Sequence, residues 1–203
     1  MTLKLTWRAL AAAGFALVFA AAASAQQPTR IRGQIEKAEG GMLVLKTRDG
    51  ASLNVKVADD ARVAALNKAS VTDIKKDDYI GVAGMTEGDK VTAFSVHIFL
   101  PQQKGVVPDR HGPWDARPGS TMTNAYVESI VKEKDGDQIK VKYKDGEKTV
   151  VITPQTAVTA VAPGNKDELK AGAQIIIMQS EKQGDGSVLA KVLYVGHGLT
   201  PAM

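Results

Sequence analysis

The 203-residue chain contains no cysteine. That absence excludes disulfides, thiol redox chemistry and a lipid anchor attached through an N-terminal cysteine, so burial and hydrogen bonding alone hold the fold. Aromatic residues make up only 5% of the chain, which leaves few flat side chains on which bases could stack. Histidine occurs three times, at 97, 111 and 197, and no His-x-His, His-x-x-His or Glu-x-x-His spacing is present. There is no Gly-x-Ser-x-Gly elbow and no Gly-x-x-x-x-Gly-Lys phosphate loop. No catalytic residue and no cofactor is therefore nominated. Beyond residue 25, no apolar run approaches the roughly 20 residues that a membrane-spanning helix requires.

What is present begins with a leader-like segment. Lys4 and Arg8 give a positive start, Ala9 to Ala22 is apolar but too short to span a bilayer, and Ala23-Ser24-Ala25 offers the small residues a signal peptidase reads. This predicts a signal peptide over residues 1–25, cleavage before Gln26, export to the periplasm and no transmembrane segment after cleavage. The leader holds two of the 26 basic residues and none of the 22 acidic ones, so cleavage lowers the formal charge from +4 to +2. So small an excess, with Lys and Asp interspersed, is no nucleic-acid footprint.

The remainder is duplicated. Stretches from about Ile31 to Phe99 and from about Tyr126 to Val195 overlay at an offset of about 96 residues. Ile31, Gly33 and Ile35 alternate with polar residues, as do Val127, Ser129 and Val131; this is the period-two pattern of half-buried strands. Leu43 and Leu45 match Ile139 and Val141. Each copy then reaches an Asp-Gly pair, Asp49-Gly50 or Asp145-Gly146, which predicts a type I′ hairpin. In the third strand Leu53, Val55 and Val57 match Thr149, Val151 and Thr153. Ala61 to Lys68 then suggests a short helix capped by Asp59 or Asp60, a helix that Pro163 and Gly164 disfavour in the second copy. Two further strands close each copy, and His97 overlays on Tyr194. Five strands with an insert between the third and fourth predict an all-β chain of two tandem five-stranded OB-like barrels. The expected divisions are a first barrel at 26–100, a Pro/Gly-rich linker at 101–124 and a second barrel at 125–203. A single larger sandwich is the alternative architecture.

The linker carries Pro101, Pro108, Pro113 and Pro118, a density of breakers that predicts irregular structure. It also holds Arg110, His111, Trp114 and Asp115, the one mature segment combining these residue types. Two readings stand: a recognition loop with Trp114 as anchor, or a plug in which Trp114 covers the seam between barrels. His111, Asp115 and Met122 are candidates for a metal. If the barrels bind as OB-folds do, on strands two and three, then Lys46, Arg48, Lys140, Lys142 and Tyr143 are candidates as well.

The strand Ile31-Arg32-Gly33-Gln34-Ile35 and its counterpart Tyr126 to Val131, the Asp-Gly hairpins and the lead-ins Asp73-Ile74-Lys75 and Glu168-Leu169-Lys170 resemble a family of uncharacterised bacterial exported small barrels, often found in tandem. The resemblance implies a periplasmic OB-like barrel and transfers no functional residues. The expected function is a non-catalytic periplasmic binding or scaffolding module, with an unidentified periplasmic protein or small ligand as partner. A periplasmic metal-handling protein using His111 is the alternative, and a hydrolase is the third reading.

Overall fold

The computed structural model describes residues 30–133, 136–196 and 198–199. The expected signal peptide and His197 lie outside the described residues. Among the described residues eleven strands follow one another: β1 (Ile31–Glu39), β2 (Met42–Thr47), β3 (Ser52–Lys68), β4 (Tyr79–Glu87), β5 (Lys90–Ile98), β6 (Arg110–Pro113), β7 (Ser120–Val131), β8 (Gln138–Tyr143), β9 (Gly146–Pro163), β10 (Gln174–Lys182) and β11 (Val188–Gly196). The chain is all-β, as the alternation predicts. No helix among the described residues is long and apolar enough to cross a membrane.

The strands close into two rings of five. In the first, β1 pairs with β2, β2 with β3, β3 with β11, β11 with β10, and β10 returns to β1. In the second, β7 pairs with β8, β8 with β9, β9 with β5, β5 with β4, and β4 returns to β7. Closure leaves few strand edges unpaired. Ile35, Leu45, Val55, Ile177 and Leu193 fill the first ring, and Ile80, Val96, Val127, Ile139 and Val150 fill the second. A third apolar cluster, which includes Leu66, Tyr79, Trp114, Met122, Ile176 and Tyr194, gathers residues of both rings and of the connecting segment.

The pairing corrects the expectation that each repeat closes upon itself. Each ring takes three strands from one repeat and two from the other, so residues 26–100 and 125–203 both contribute to both rings. The cause lies in the third strand. Asp59–Lys68 forms no helix; it continues β3 to a length of 17 residues, about 55 Å if straight. Its end pairs antiparallel with the end of β9, from Ala64 opposite Pro163 to Lys68 opposite Thr159. Ala69 and Val71 then pack on the second core, which delivers β4 and β5 to the other ring. Helix propensity in the Ala-rich stretch yields here to sheet pairing, a common tertiary override.

Local register differs in three further places. The bulges after Ile35 and after Val127 match these two residues, which lie opposite Leu45 and Val141; Ile31 therefore corresponds to Thr123 and not to Val127. The longer β7–β8 connection absorbs the four-residue difference. In β9 the core-facing residues are Val150 and Ile152, one position away from the expected Thr149, Val151 and Thr153, because the preceding turn is tighter. Neither Asp-Gly pair forms a type I′ turn. Of the two Asp-Gly pairs only Gly50 has positive φ (83°), within a four-residue loop whose Thr47 amide donates to the Ala51 carbonyl, whereas Tyr143 pairs directly with Gly146. The connecting segment also contains regular structure: β6 and the first five residues of β7 lie within 101–124.

Candidate functional site

Alternation in β1 turns Gly33 and Ile35 inward and leaves Arg30 and Arg32 on the outer face, beside the cluster that joins the rings. A Cβ at Gly33 would collide with the Lys46 carbonyl, so β1 and β2 approach here only because residue 33 has no side chain. The β2–β3 hairpin brings Arg48 alongside, where its Nη1 donates to the Ala116 carbonyl at 2.9 Å. From the other direction, the segment after β6 supplies Trp114, Asp115 and Arg117. That segment is closed by the Trp114 amide donating to the Ser120 carbonyl (2.8 Å) and Ser120 Oγ donating to the Arg117 carbonyl (2.7 Å).

Trp114 is 9% exposed. The Arg30 guanidinium lies 3.9 Å from its ring centroid and that of Arg32 5.7 Å, both within cation–π range. Asp115 accepts a hydrogen bond from Arg32 Nη2 at 2.7 Å and lies 3.6 Å from Arg30 Nη1. Arg117 stacks over Phe94 at 4.0 Å. Burial lowers the Arg30 pKa, reinforced by repulsion from Arg32 and Arg110 and opposed by Asp115. Arg48 is lowered in the same way, by burial and then by Arg32 and Arg117, again with Asp115 opposing. Burial would raise the Asp115 carboxyl, but Arg32 and Arg30 together hold it below its ordinary value. Five arginines thus act on one another around Asp115, with Asp49 also lining the surface, and Arg30 Nε and Asp109 Oδ1 are buried without a hydrogen-bond partner. Two shallow grooves flank this surface. One, of about 370 Å³, has Arg30, Arg32, Arg48, Asp49 and Asp115 as its charged lining; the other, of about 250 Å³, is lined by Arg32, Gln34, Lys46 and Arg48 among others. A larger groove of about 680 Å³, along Asn165–Gln174 and Gly198, mixes Asp167 and Glu168 with Lys170 and gathers no charge of one sign.

Arg48, Arg110, Trp114 and Asp115 come together here, with Lys46 at the border. Lys142 and Tyr143 stand on β8 of the other ring, and Lys140 beside them pairs with Glu147 at 3.1 Å. His111 lies on β6 with Nδ1 2.8 Å from Thr123 Oγ1 and its ring 6.0 Å from that of Tyr143. Met122 is buried among the residues joining the rings. Among the described residues no group of three or more His, Asp or Glu is placed to hold a metal ion. Sequence reasoning missed Arg30 and Arg32. Their signal was two arginines, at positions i and i+2, on the outer face just ahead of the close-packed Gly33.

No family model matches the sequence, and comparison with curated proteins and with solved structures found no match either.

Proposed function

We propose that the chain is an exported, non-catalytic binding module of the periplasm that holds an anionic group on the arginine surface around Trp114. The observation behind this reading is the excess of Arg30, Arg32, Arg48, Arg110 and Arg117 over the carboxylates beside them, Asp115, Asp49 in the groove and Asp109 next to Arg110. Guanidinium forks suit carboxylate and phosphate oxygens, and these are oriented in advance by the Trp114 ring, the Ala116 carbonyl and the Phe94 ring. The exported small barrels that the sequence resembles are consistent with a periplasmic binding role.

The test is a titration of the mature chain with inorganic phosphate and with succinate, read from the Nε–Hε resonances of Arg30, Arg32 and Arg48. Saturable shifts in the millimolar range, weakened about tenfold by Arg48→Ala and by added salt, are expected. Shifts that are absent, or indifferent to Arg48→Ala, would remove the assignment. Export is checked separately by the intact mass of the periplasmic form, which should begin at Gln26.

A further inference from the structure

The two rings are related residue by residue, and that relation exposes a difference beside the arginine surface. β10 runs against β1 with Gln174 opposite Gln34, as β4 runs against β7 with Tyr79 opposite Tyr126. Lys46 on β2 stands opposite Gln34, and Lys142 on β8 stands opposite Tyr126. Directly opposite residues of an antiparallel pair share a face, so the row Gln174, Gln34, Lys46 corresponds to the row Tyr79, Tyr126, Lys142. In the second ring this row is plugged. The rings of Tyr79 and Tyr126 lie 4.8 Å apart, and the connector packs on them, with Tyr79 Oη donating to the Val107 carbonyl at 3.0 Å. In the first ring carboxamides replace both phenols, and a four-residue loop carrying Arg48 replaces the tight turn between β8 and β9. The 250 Å³ groove lies there, lined by Gln174, Gln34, Lys46 and Arg48.

This groove differs from its 370 Å³ neighbour in having no carboxylate in its lining, whereas Asp49 and Asp115 both line the neighbour. Its cations are Arg32, Lys46 and Arg48. Arg32 is held by Asp115, but among the described residues Lys46 forms no ion pair, and Arg48 bonds the neutral Ala116 carbonyl. Gln34 Nε2 donates to the Gly172 carbonyl at 3.0 Å, which leaves its Oε1 as an acceptor; the Gln174 carboxamide has no hydrogen-bond partner among the described residues. Gly33 and Gly50 add no side chain to the lining, and Ile175 is turned into the first core, so the groove is polar throughout. A carboxamide presents a donor and an acceptor together, which matches a hydroxyl. Building on the anion-binding reading, we infer that this groove takes a polyhydroxylated carboxylic acid, a sugar acid, with its carboxylate on Lys46 and Arg48 and its hydroxyls on Gln34 and Gln174. Charged nitrogens make the stronger bonds to the carboxylate, and the paired amides select the hydroxyls. The volume lies below the roughly 300–1,000 Å³ of ordinary ligand pockets, which suits a single sugar unit.

The test titrates the chain with D-glucuronate, and compares succinate, which has the acid without the hydroxyls, and D-glucose, which has the hydroxyls without the acid. Glucuronate should bind about tenfold more tightly than either and should shift the carboxamide resonances of Gln34 and Gln174. In Gln174→Leu its affinity should fall to that of succinate, with succinate and phosphate binding unchanged. The carboxamide shifts of the unaltered chain decide the site on their own if Gln174→Leu folds poorly. Glucuronate binding no tighter than succinate or than glucose would overturn the sugar-acid site while leaving the anion surface standing. A preference that comes without carboxamide shifts, or that persists in folded Gln174→Leu, would do the same, as would phosphate binding without glucuronate binding. Failure of glucuronate, succinate and phosphate alike would remove both readings.

Discussion

Leu66 and Val161 lie directly opposite each other where β3 crosses β9, and each is the other's counterpart in the duplication. The local twofold relation between the rings passes through this pair, with Leu66 fully buried and Val161 nearly so. Because each ring closes with strands of the other repeat, neither can open alone. The protein should unfold in a single transition, with Trp114 fluorescence and amide signals of the second ring coinciding in urea. Leu66→Ala should lower stability by about 2–5 kcal/mol and shift both probes together.

Trp114, one of two indoles in the chain and the sole one once the expected leader with Trp7 is removed, is held beneath Arg30. Its emission should be blue-shifted and resistant to iodide and acrylamide. Trp114→Ala should cost about 3–5 kcal/mol, and Trp114→Phe less, because the smaller ring keeps part of the packing and of the cation–π contact.

Asp115 both anchors Arg32 and competes with any bound anion. Its side chain is 39% exposed, so Asp115→Asn should cost only about 1–2 kcal/mol in urea unfolding. The same substitution should tighten phosphate binding several-fold. A loss of phosphate binding would place the anion elsewhere. The folded-state pKa lies below the ordinary 3.8, so this contribution is present above that pH and is lost as pH falls below it.

His97 on β5 is fully buried, with Nδ1 2.6 Å from Thr159 Oγ1 on β9 and Nε2 3.2 Å from Ser95 Oγ. Burial lowers its pKa from 6.5 to about 3, so the folded chain keeps it neutral where the unfolded chain takes up a proton. Stability should be unaffected by this group above pH 6.5 and should fall by about 1.4 kcal/mol per pH unit from there toward pH 3. His97→Gln should flatten that slope. An unchanged slope would assign the acid sensitivity to other groups.

The all-β class and most strand positions were legible because alternation survives in nearly every strand: Leu43 and Leu45, Ile139 and Val141, Val91 and Ala93 all face a core. The exchange was not legible. β5 and β11 carry similar apolar patterns, so composition gave no preference between them as the partner of β3; the decision lies in the continuation of β3 through Asp59–Lys68, where an Ala-rich stretch reads as helical. Half of the arginine surface was visible, since Arg110, Trp114 and Asp115 stand out in the connector and Arg48 beside a turn. Arg30 and Arg32 read as solvated outer positions, because what lies over an outer face is set by tertiary structure.

The account depends most on β3 being closed by β11. Backbone nuclear Overhauser effects in the chain test this directly, since adjacent strands lie about 4.8 Å apart. Cross-peaks should link Val57 with Ala190 and Val63 with Leu193 in the first ring, and Ile152 with Ala93 and Val158 with Val96 in the second. Cross-peaks from Val57 to Ala93 and from Ile152 to Ala190 would instead show each repeat closing on itself, and would contradict the strand exchange.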